Sequence, residues 1–388
     1  MNFVYLSPHF PPNYYRFCVH LNELGVNVFG VADESYDRLR PELRDSLREY
    51  YRVNDMHHYD ELLRACGYFT HRHGKLDCLD SHNEYWLETE ARLRTDFNMD
   101  GPKSDDIVLM KYKSQMKKIF REAGVAVARG SLFHTLKDAR DLIAQVGYPI
   151  IAKPDRGVGA MHTFKIHNDA ELLAFFDQKP PLDYLIEEFI QGEIFTFDGL
   201  TDKNGRPVFY TSHTYSQGIM ETVLDDSLIY YYSLRAIPPD LEAAGLQVLK
   251  VYKIKARFFH FEFFRSVESG EIIALEVNIR PPGGLTTDMF NFANDINIYK
   301  EWANVIVNNR FTAQYSRPYH CCYIARKFNK RYAHSHEEIM AEFGPDIVYQ
   351  EEISGVFSAA LGNYGYLARS PEPDQILSIA AFIQKLDL

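Results

Sequence analysis

The sequence predicts an α/β chain, and three observations carry that prediction. The first 32 residues run strand, helix, strand, the βαβ rhythm of a parallel sheet. The middle of the chain alternates short apolar runs with capped helical stripes. Two further runs, Phe258 to Phe264 and Glu271 to Ile279, meet at Ser269-Gly270 and predict a hairpin.

The elements follow in order. Phe3 to Leu6 is a short apolar strand ended by Ser7-Pro8. Phe17, His20, Leu21 and Leu24 share one helix face, which stops at Gly25. Val26 to Ala32 is the second buried strand. The loop after the first strand, Pro8 to Asn13, carries no G-x-G-x-x-G, so a dinucleotide site is not expected there. The polar stretch Asn98 to Ser104 marks a boundary. Beyond it Met116, Ile119, Phe120 and Ala123 form one stripe, stopped by Gly124. Thr135-x-x-Asp138 reads as a capping box and Asn168-x-x-Glu171 opens another helix. Strands are expected at Ile150 to Lys153 and Tyr184 to Phe189, and a helix from Pro238-Pro239-Asp240. There is no internal repeat.

At 388 residues the chain has room for two or three domains of roughly 100–200 residues. Lys plus Arg is 42 against Asp plus Glu 53, a net charge of −11. That balance argues against a nucleic-acid binder but not against a local pocket for one anion. No apolar run reaches membrane-spanning length, and the N-terminus does not read as a secretory signal. The five cysteines, Cys18, Cys66, Cys78, Cys321 and Cys322, have no C-x-x-C spacing. A reducing cytoplasm is the expected location.

Chemistry concentrates in a few places. In a strand, residues i, i+2 and i+4 share a face. Glu276, Asn278 and Arg280 therefore point one way, with Leu275, Val277 and Ile279 toward the core. If the hairpin forms, His260 and Glu262 lie on the adjacent strand. Two carboxylates and an amide oxygen make a hard-oxygen site suited to Mg²⁺. Lys153 ends an apolar strand before a loop bearing Gly157 and Gly159, where backbone N–H groups can approach phosphate. A plain hairpin turn reads the same way, and the loop is not a P-loop. Glu187-Glu188-Phe189-Ile190-Gln191-Gly192-Glu193 turns a strand into a linker whose backbone can read a base edge and whose carboxylates can take ribose hydroxyls. A solvated strand end is the bland alternative. Ser216, Glu221 and Arg235 are tentative substrate residues: the first two sit in a polar loop, and Arg235 either neutralises a carboxylate or ends a strand. His57-His58 and His71-x-His73 read as surface histidines, Cys321-Cys322 as core thiols, and Tyr230 to Tyr232 as strand packing.

Taken in order, these pieces resemble the ATP-grasp superfamily, in particular its carboxylate–amine ligases. The resemblance runs from about residue 1 to about 310. It implies an ATP-grasp fold with an N-terminal Rossmann-like (pre-ATP-grasp) domain at 1–104. The ATP-grasp domain follows at 105–310, with a lid near 125–186 and a catalytic part near 187–310. Residues 311–388 complete the catalytic half. The resemblance implies that Lys113 and Lys153 bind phosphates, under a loop containing Gly157 and Gly159. It places Glu187, Phe189 and Ile190 at the adenine and Glu193 at the ribose. Glu262, Glu276 and Asn278 correspond to the Mg²⁺ ligands and Arg280 to the Arg that supports the transferring phosphoryl group. The loop is bulkier than many in the family, with Arg156, Met161 and His162, and Pro281-Pro282 doubles a usual single proline.

The implied cofactors are ATP and Mg²⁺, two ions in the family's usual arrangement, with Mn²⁺ as a substitute. The implied partners are a small carboxylate such as an amino acid and an amine, with no nucleic acid and no membrane. A homodimer is common among relatives. The implied reaction activates the acid as an acyl phosphate, and the amine then displaces phosphate. The alternatives are another ATP-grasp enzyme, carboxylase-like or kinase-like, or a non-catalytic ATP-binding regulator.

Overall fold

A computed structural model describes residues 1–157 and 162–387 and contains three sheets. The first holds β1 (Asn2–Leu6), β2 (Asn27–Ala32), β3 (Glu49–Arg52) and β4 (Cys78–Asp80), all parallel, in the order β3-β2-β1-β4. Alternation along β1 sends its side chains into two cores. Phe3 and Tyr5 pack with Phe17, Tyr299 and Trp302, while Val4 and Leu6 pack with Leu62, Ala65 and Phe69. The sheet is therefore covered on both faces, as a parallel sheet requires.

After β5 (Ala126–Val127) comes a small antiparallel sheet of β6 (Gly130–Phe133), β7 (Ile150–Pro154), β8 (Phe164–Ile166) and β9 (Tyr184–Glu188), in the order β6-β9-β7-β8. Its two helices, Leu136–Val146 and Asp169–Gln178, start where their caps were expected. Thr135 and Asp138 form the reciprocal box, and Asn168 accepts from the Glu171 N–H. Gly130 has φ +157, and a Cβ there would lie 2.2 Å from the Ile186 carbonyl, so this crossing needs glycine.

The third sheet has ten strands: β5, β10 (Gly192–Thr201), β11 (Pro207–Thr211), β12 (His213–Tyr215), β13 (Tyr230–Ser233), β14 (Phe258–Ser266), β15 (Ile272–Asn278), β16 (His320–Arg326), β17 (Ile347–Glu352) and β18 (Tyr364–Ser370). The C-terminal strands continue the same ladder, because β13 pairs with β16. Along the platform of β10, β14 and β15, one face is apolar. Phe195, Phe197, Phe259, Phe261, Phe263, Val277 and Ile279 pack under the helices Lys113–Glu122 and Pro239–Tyr252. The opposite face carries Thr196, Asp198, His260, Glu262, Glu276 and Asn278.

The expected hairpin of β14 and β15 forms, with a difference. The register shifts between Glu262 and Phe263, so Glu262 faces Glu276 but Phe263 faces Ala274. Leu275 is the extra residue of a bulge. It is only half-buried, and Ala274 takes the core position expected for it. A second difference lies at Ser216 to Thr222, expected as a loop, where Ile219–Leu224 is helical. Cys321 and Cys322 are free and buried in β16, as expected of core thiols. No helix among the described residues is long and apolar enough to cross a membrane.

A buried ionic cluster joins the first sheet to the third. The Arg257 guanidinium donates to both oxygens of Asp80, at 2.7 and 3.2 Å, and through Nε to the Ile279 carbonyl at 3.1 Å. Arg94 donates to Glu90 at 2.6 Å, and both side chains are fully buried. Removing one member of such a cluster strands its partners in a low-dielectric interior. Arg257→Leu is expected to cost about 3–5 kcal/mol. Urea unfolding checks this, and a loss below about 1 kcal/mol would contradict it.

Candidate functional site

The antiparallel register sets Glu262 directly opposite Glu276 and His260 opposite Asn278. On the other side of β14, Thr196 faces Glu262 and Asp198 faces His260. Like charges placed directly across a ladder repel. Each carboxylate is met by a cation. Lys113 Nζ donates to Glu276 Oε1 at 3.1 Å, and His260 Nε2 lies 3.1 Å from Glu262 Oε1.

His260 is itself held from behind. Its Nδ1 lies 2.5 Å from Asp198, which also accepts from Thr196 Oγ1 at 2.5 Å and takes His213 Nδ1 at 2.8 Å. Burial alone would raise the Asp198 carboxyl, but His260 and His213 override it and bring it down to about 2. Burial alone would lower His260, but Asp198 and Glu262 raise it to about 9. Burial likewise opposes ionisation of Glu262, and His260 and Arg280 hold it below the usual carboxylate range. The result is a charged chain, Asp198 to His260 to Glu262. Sequence reasoning found its outer half. Asp198 and Thr196 were missed, although their i, i+2 spacing on a strand was the available signal.

Three lysines approach from the helix Lys113–Glu122 and from β7. Lys113 also donates to the Gly157 carbonyl at 3.2 Å, so it touches both β15 and the loop after β7. Its pKa is raised, Glu276 overcoming the cost of burial. Lys153 pairs with Glu187, and Lys117 Nζ lies 2.7 Å from the same carboxylate. Burial works against Glu187, yet the two ammonium groups hold its carboxyl low. Lys117 was missed, although it follows Lys113 by one helical turn on the same face. The loop is tied to the helix start: Ser114 donates from N and Oγ to the Asp155 carboxylate at 2.7 and 2.9 Å. An anion at a helix N-terminus is favoured.

Arg280 donates to the Pro281 carbonyl at 2.8 Å and to Asn278 Oδ1 at 3.3 Å. Its Nε is 3.6 Å from Glu84, a residue from the first-sheet region that sequence reasoning did not single out. No local motif marks it, since it arrives from nearly two hundred residues away.

The remaining expected residues are placed as follows. Glu187 turns its carboxylate to the two lysines, and its backbone lies inside the ladder opposite Gly130 and Ile151, so the adenine contact expected of it is not free at this residue. Phe189 and Ile190 are half-buried, and Lys165 Nζ sits 3.6 Å over the Phe189 ring. Glu193 is exposed at the start of β10. Gly159 lies outside the described residues. Ser216 is exposed and its Oγ accepts from the Tyr230 N–H at 3.1 Å, a strand-end contact. Glu221 lies on the short helix Ile219–Leu224. Arg235 donates to the carbonyls of Arg317 and Pro371, at 3.2 and 2.8 Å, so its guanidinium ties down the C-terminal segment.

Residues 146–288 match the family described as ATP-grasp domain. That stretch is an ATP-grasp domain. A relative, the L-arginine-specific L-amino acid ligase of Bacillus subtilis, is 26% identical over 244 residues, covering 60% of this chain and 58% of its own length. The chain therefore spans a little over half of that relative. Among solved ATP-grasp structures, the L-amino acid ligase from Bacillus licheniformis superposes with TM-score 0.70 at 13% identity, covering 98% of this chain and 95% of that one. The biotin carboxylase domain dimer of the Hydrogenobacter thermophilus 2-oxoglutarate carboxylase, in complex with MgADP, ADP and bicarbonate, does so with TM-score 0.70 at 17% identity, covering 95% and 86%.

The donor set fits Mg²⁺. Glu262, Glu276 and Asn278 offer oxygen, and among the described residues no group of three or more His, Cys, Asp or Glu side chains is arranged to hold a metal ion by itself. Mg²⁺ is commonly held by one or two carboxylates plus substrate phosphates rather than by an all-protein cage.

The Asp198–His260 pair makes stability depend on pH. His260, raised from 6.5 to about 9, contributes stability that is complete below pH 6.5 and is lost as pH rises through about 9. Asp198, lowered from 3.8 to about 2, contributes stability that is lost as pH falls from 3.8 toward about 2. Asp198→Asn removes both contributions. Urea midpoints at about pH 6 and about pH 9.5 should show the gap between wild type and variant narrowing at the higher pH. An unchanged gap would contradict the charged chain.

Proposed function

We propose that the chain is an ATP-dependent carboxylate–amine ligase. It joins a small acid to an amine through an acyl phosphate, releasing ADP and phosphate. The observation that carries the reading is the opposed pair Glu262 and Glu276, with Asn278 beside them and Lys113, Lys153 and Arg280 around them. Such a set binds a polyphosphate and steadies charge moving between oxygens. The two L-amino acid ligases among the similar proteins support an amino acid as the acid.

In this reading Lys113 and Lys153 act as point charges on ATP phosphates. As phosphate binds, Lys113 exchanges part of its contact with Glu276, and Lys153 part of its contact with Glu187. Lys117 stays behind to balance Glu187. Bound Mg²⁺, held by Glu262, Glu276 and Asn278, would neutralise phosphoryl oxygens; the reading takes two ions, with Mn²⁺ as a substitute by ligand chemistry. The Arg280 fork lies next to Asn278, where it can support the transferring phosphoryl group. In the same reading Phe189 and Ile190 border adenine and Glu193 the ribose, while Glu187, paired in the ladder with Gly130 and Ile151, holds Lys153 and Lys117. Gly157, whose carbonyl meets Lys113, lies at the phosphates in this reading. Ser216 and Glu221 stay candidates for the substrate side of the same platform. Domain limits at 1–104, 105–310 and 311–388, and a homodimer, belong to the same proposal; the dimeric carboxylase neighbour supports the latter.

The Hydrogenobacter neighbour also makes bicarbonate activation the second reading. The two readings separate in a screen with Mg-ATP and pooled amino acids, followed by mass detection of condensed product. The ligase reading predicts ADP and dipeptide together, and Glu276→Ala is expected to abolish both while the protein stays folded. Normal turnover in that variant would overturn the metal assignment. Lys153→Ala should weaken ADP binding by about tenfold or more in calorimetry, the loss of one charge-assisted contact. Unchanged affinity would count against its phosphate role.

A further inference from the structure

Glu84 is a buried carboxylate near the centre that the ligase reading leaves without a task. It opens the short turn Glu84–Trp86 after β4 and is 8% exposed. Its Oε2 is buried with no hydrogen-bond partner. The nearest cation, Arg280 Nε, is 3.6 Å away, too far for a hydrogen bond. The other arms of that guanidinium are directed at Pro281 and Asn278. Lys111 Nζ approaches the Glu84 backbone carbonyl, at 3.4 Å, and Glu88, at 3.8 Å. Glu276 has Lys113 and Glu262 has His260. Of these three carboxylates, Glu84 alone lacks a hydrogen-bond donor.

We infer that Glu84 holds the ammonium group of the amine substrate beside Arg280. The inference rests on the ligase reading and adds the amine's binding residue to it. A buried carboxylate with an unmade hydrogen bond is costly, and a charged N–H donor removes that cost. Burial pushes the Glu84 carboxyl up even against Arg280 and Lys111, and an added cation would offset this. The position also suits the chemistry. Arg280 turns Nη2 to Asn278 and Nε to Glu84, so a cation drawn to Glu84 would stand at a different edge of the guanidinium from the proposed metal ligand. A group left unsatisfied at the expense of folding is what a binding residue looks like before its ligand arrives.

Hydroxylamine separates binding of the ammonium from everything earlier. It is largely uncharged near neutral pH, so it can trap an acyl phosphate as a hydroxamate without an ammonium site. Wild type and Glu84→Gln are given Mg-ATP and an equimolar amino-acid pool, with and without hydroxylamine. Glu84→Gln should keep hydroxamate formation within about twofold and lose dipeptide formation by about tenfold or more. Glu84→Asp should recover part of the dipeptide yield. The Glu84→Gln melting temperature should be no lower than that of wild type. Parallel loss of hydroxamate and dipeptide would make Glu84 a support for Arg280 and overturn the inference. So would full dipeptide formation, or a lowered melting temperature. No hydroxamate from wild type would instead bring down the ligase reading itself.

Discussion

Two carboxylates face each other across one antiparallel ladder, and much of this site exists to make that tolerable. Glu262 and Glu276 are fixed opposite one another by the register of β14 and β15. Like charges in that position repel. The protein answers with a separate cation for each, Lys113 from a helix and His260 from the same strand. His260 can carry its charge in a buried place because Asp198 stands behind it. In the proposed function, the oxygens not taken by these partners would take a divalent cation and the phosphates it accompanies. The same repulsion that costs the folded state is what a bound cation would relieve.

The second constraint is how three sheets are brought to one point. The Arg257 cluster ties the first sheet to the strand ends that carry Asn278 and Arg280, through Asp80 on one side and the Ile279 carbonyl on the other. Glu84 follows β4 by four residues, so the same tie brings it to Arg280. On the opposite side the small sheet is linked by Lys113 to Gly157 and by Ser114 to Asp155. Packing stabilises each sheet separately, while a handful of charged contacts sets them relative to the candidate site.

What the sequence showed of this depended on periodicity. The i, i+2 row Glu276, Asn278, Arg280 and the neighbour Glu262 were legible because strand alternation forces shared faces. The helix starts at Thr135 and Asn168 were legible from capping chemistry. The bulge at Leu275 was not, since an alternating run looks the same with or without one extra residue. Asp198 was concealed within an apolar strand, and only the pairing of β10 with β14 shows it under His260. Glu84 could not be found by spacing at all, because its place depends on how the first sheet docks. Arg235 looked like a substrate residue by charge alone. Its partners are carbonyls in a C-terminal segment for which no motif had been recognised.

The central claim is that the opposed carboxylates bind phosphate through a divalent cation. Calorimetric titration of ADP, once with Mg²⁺ and once with EDTA, tests it most directly. The account predicts binding in Mg²⁺ that weakens by about tenfold or more when the metal is removed. Equal affinity in both buffers would contradict it.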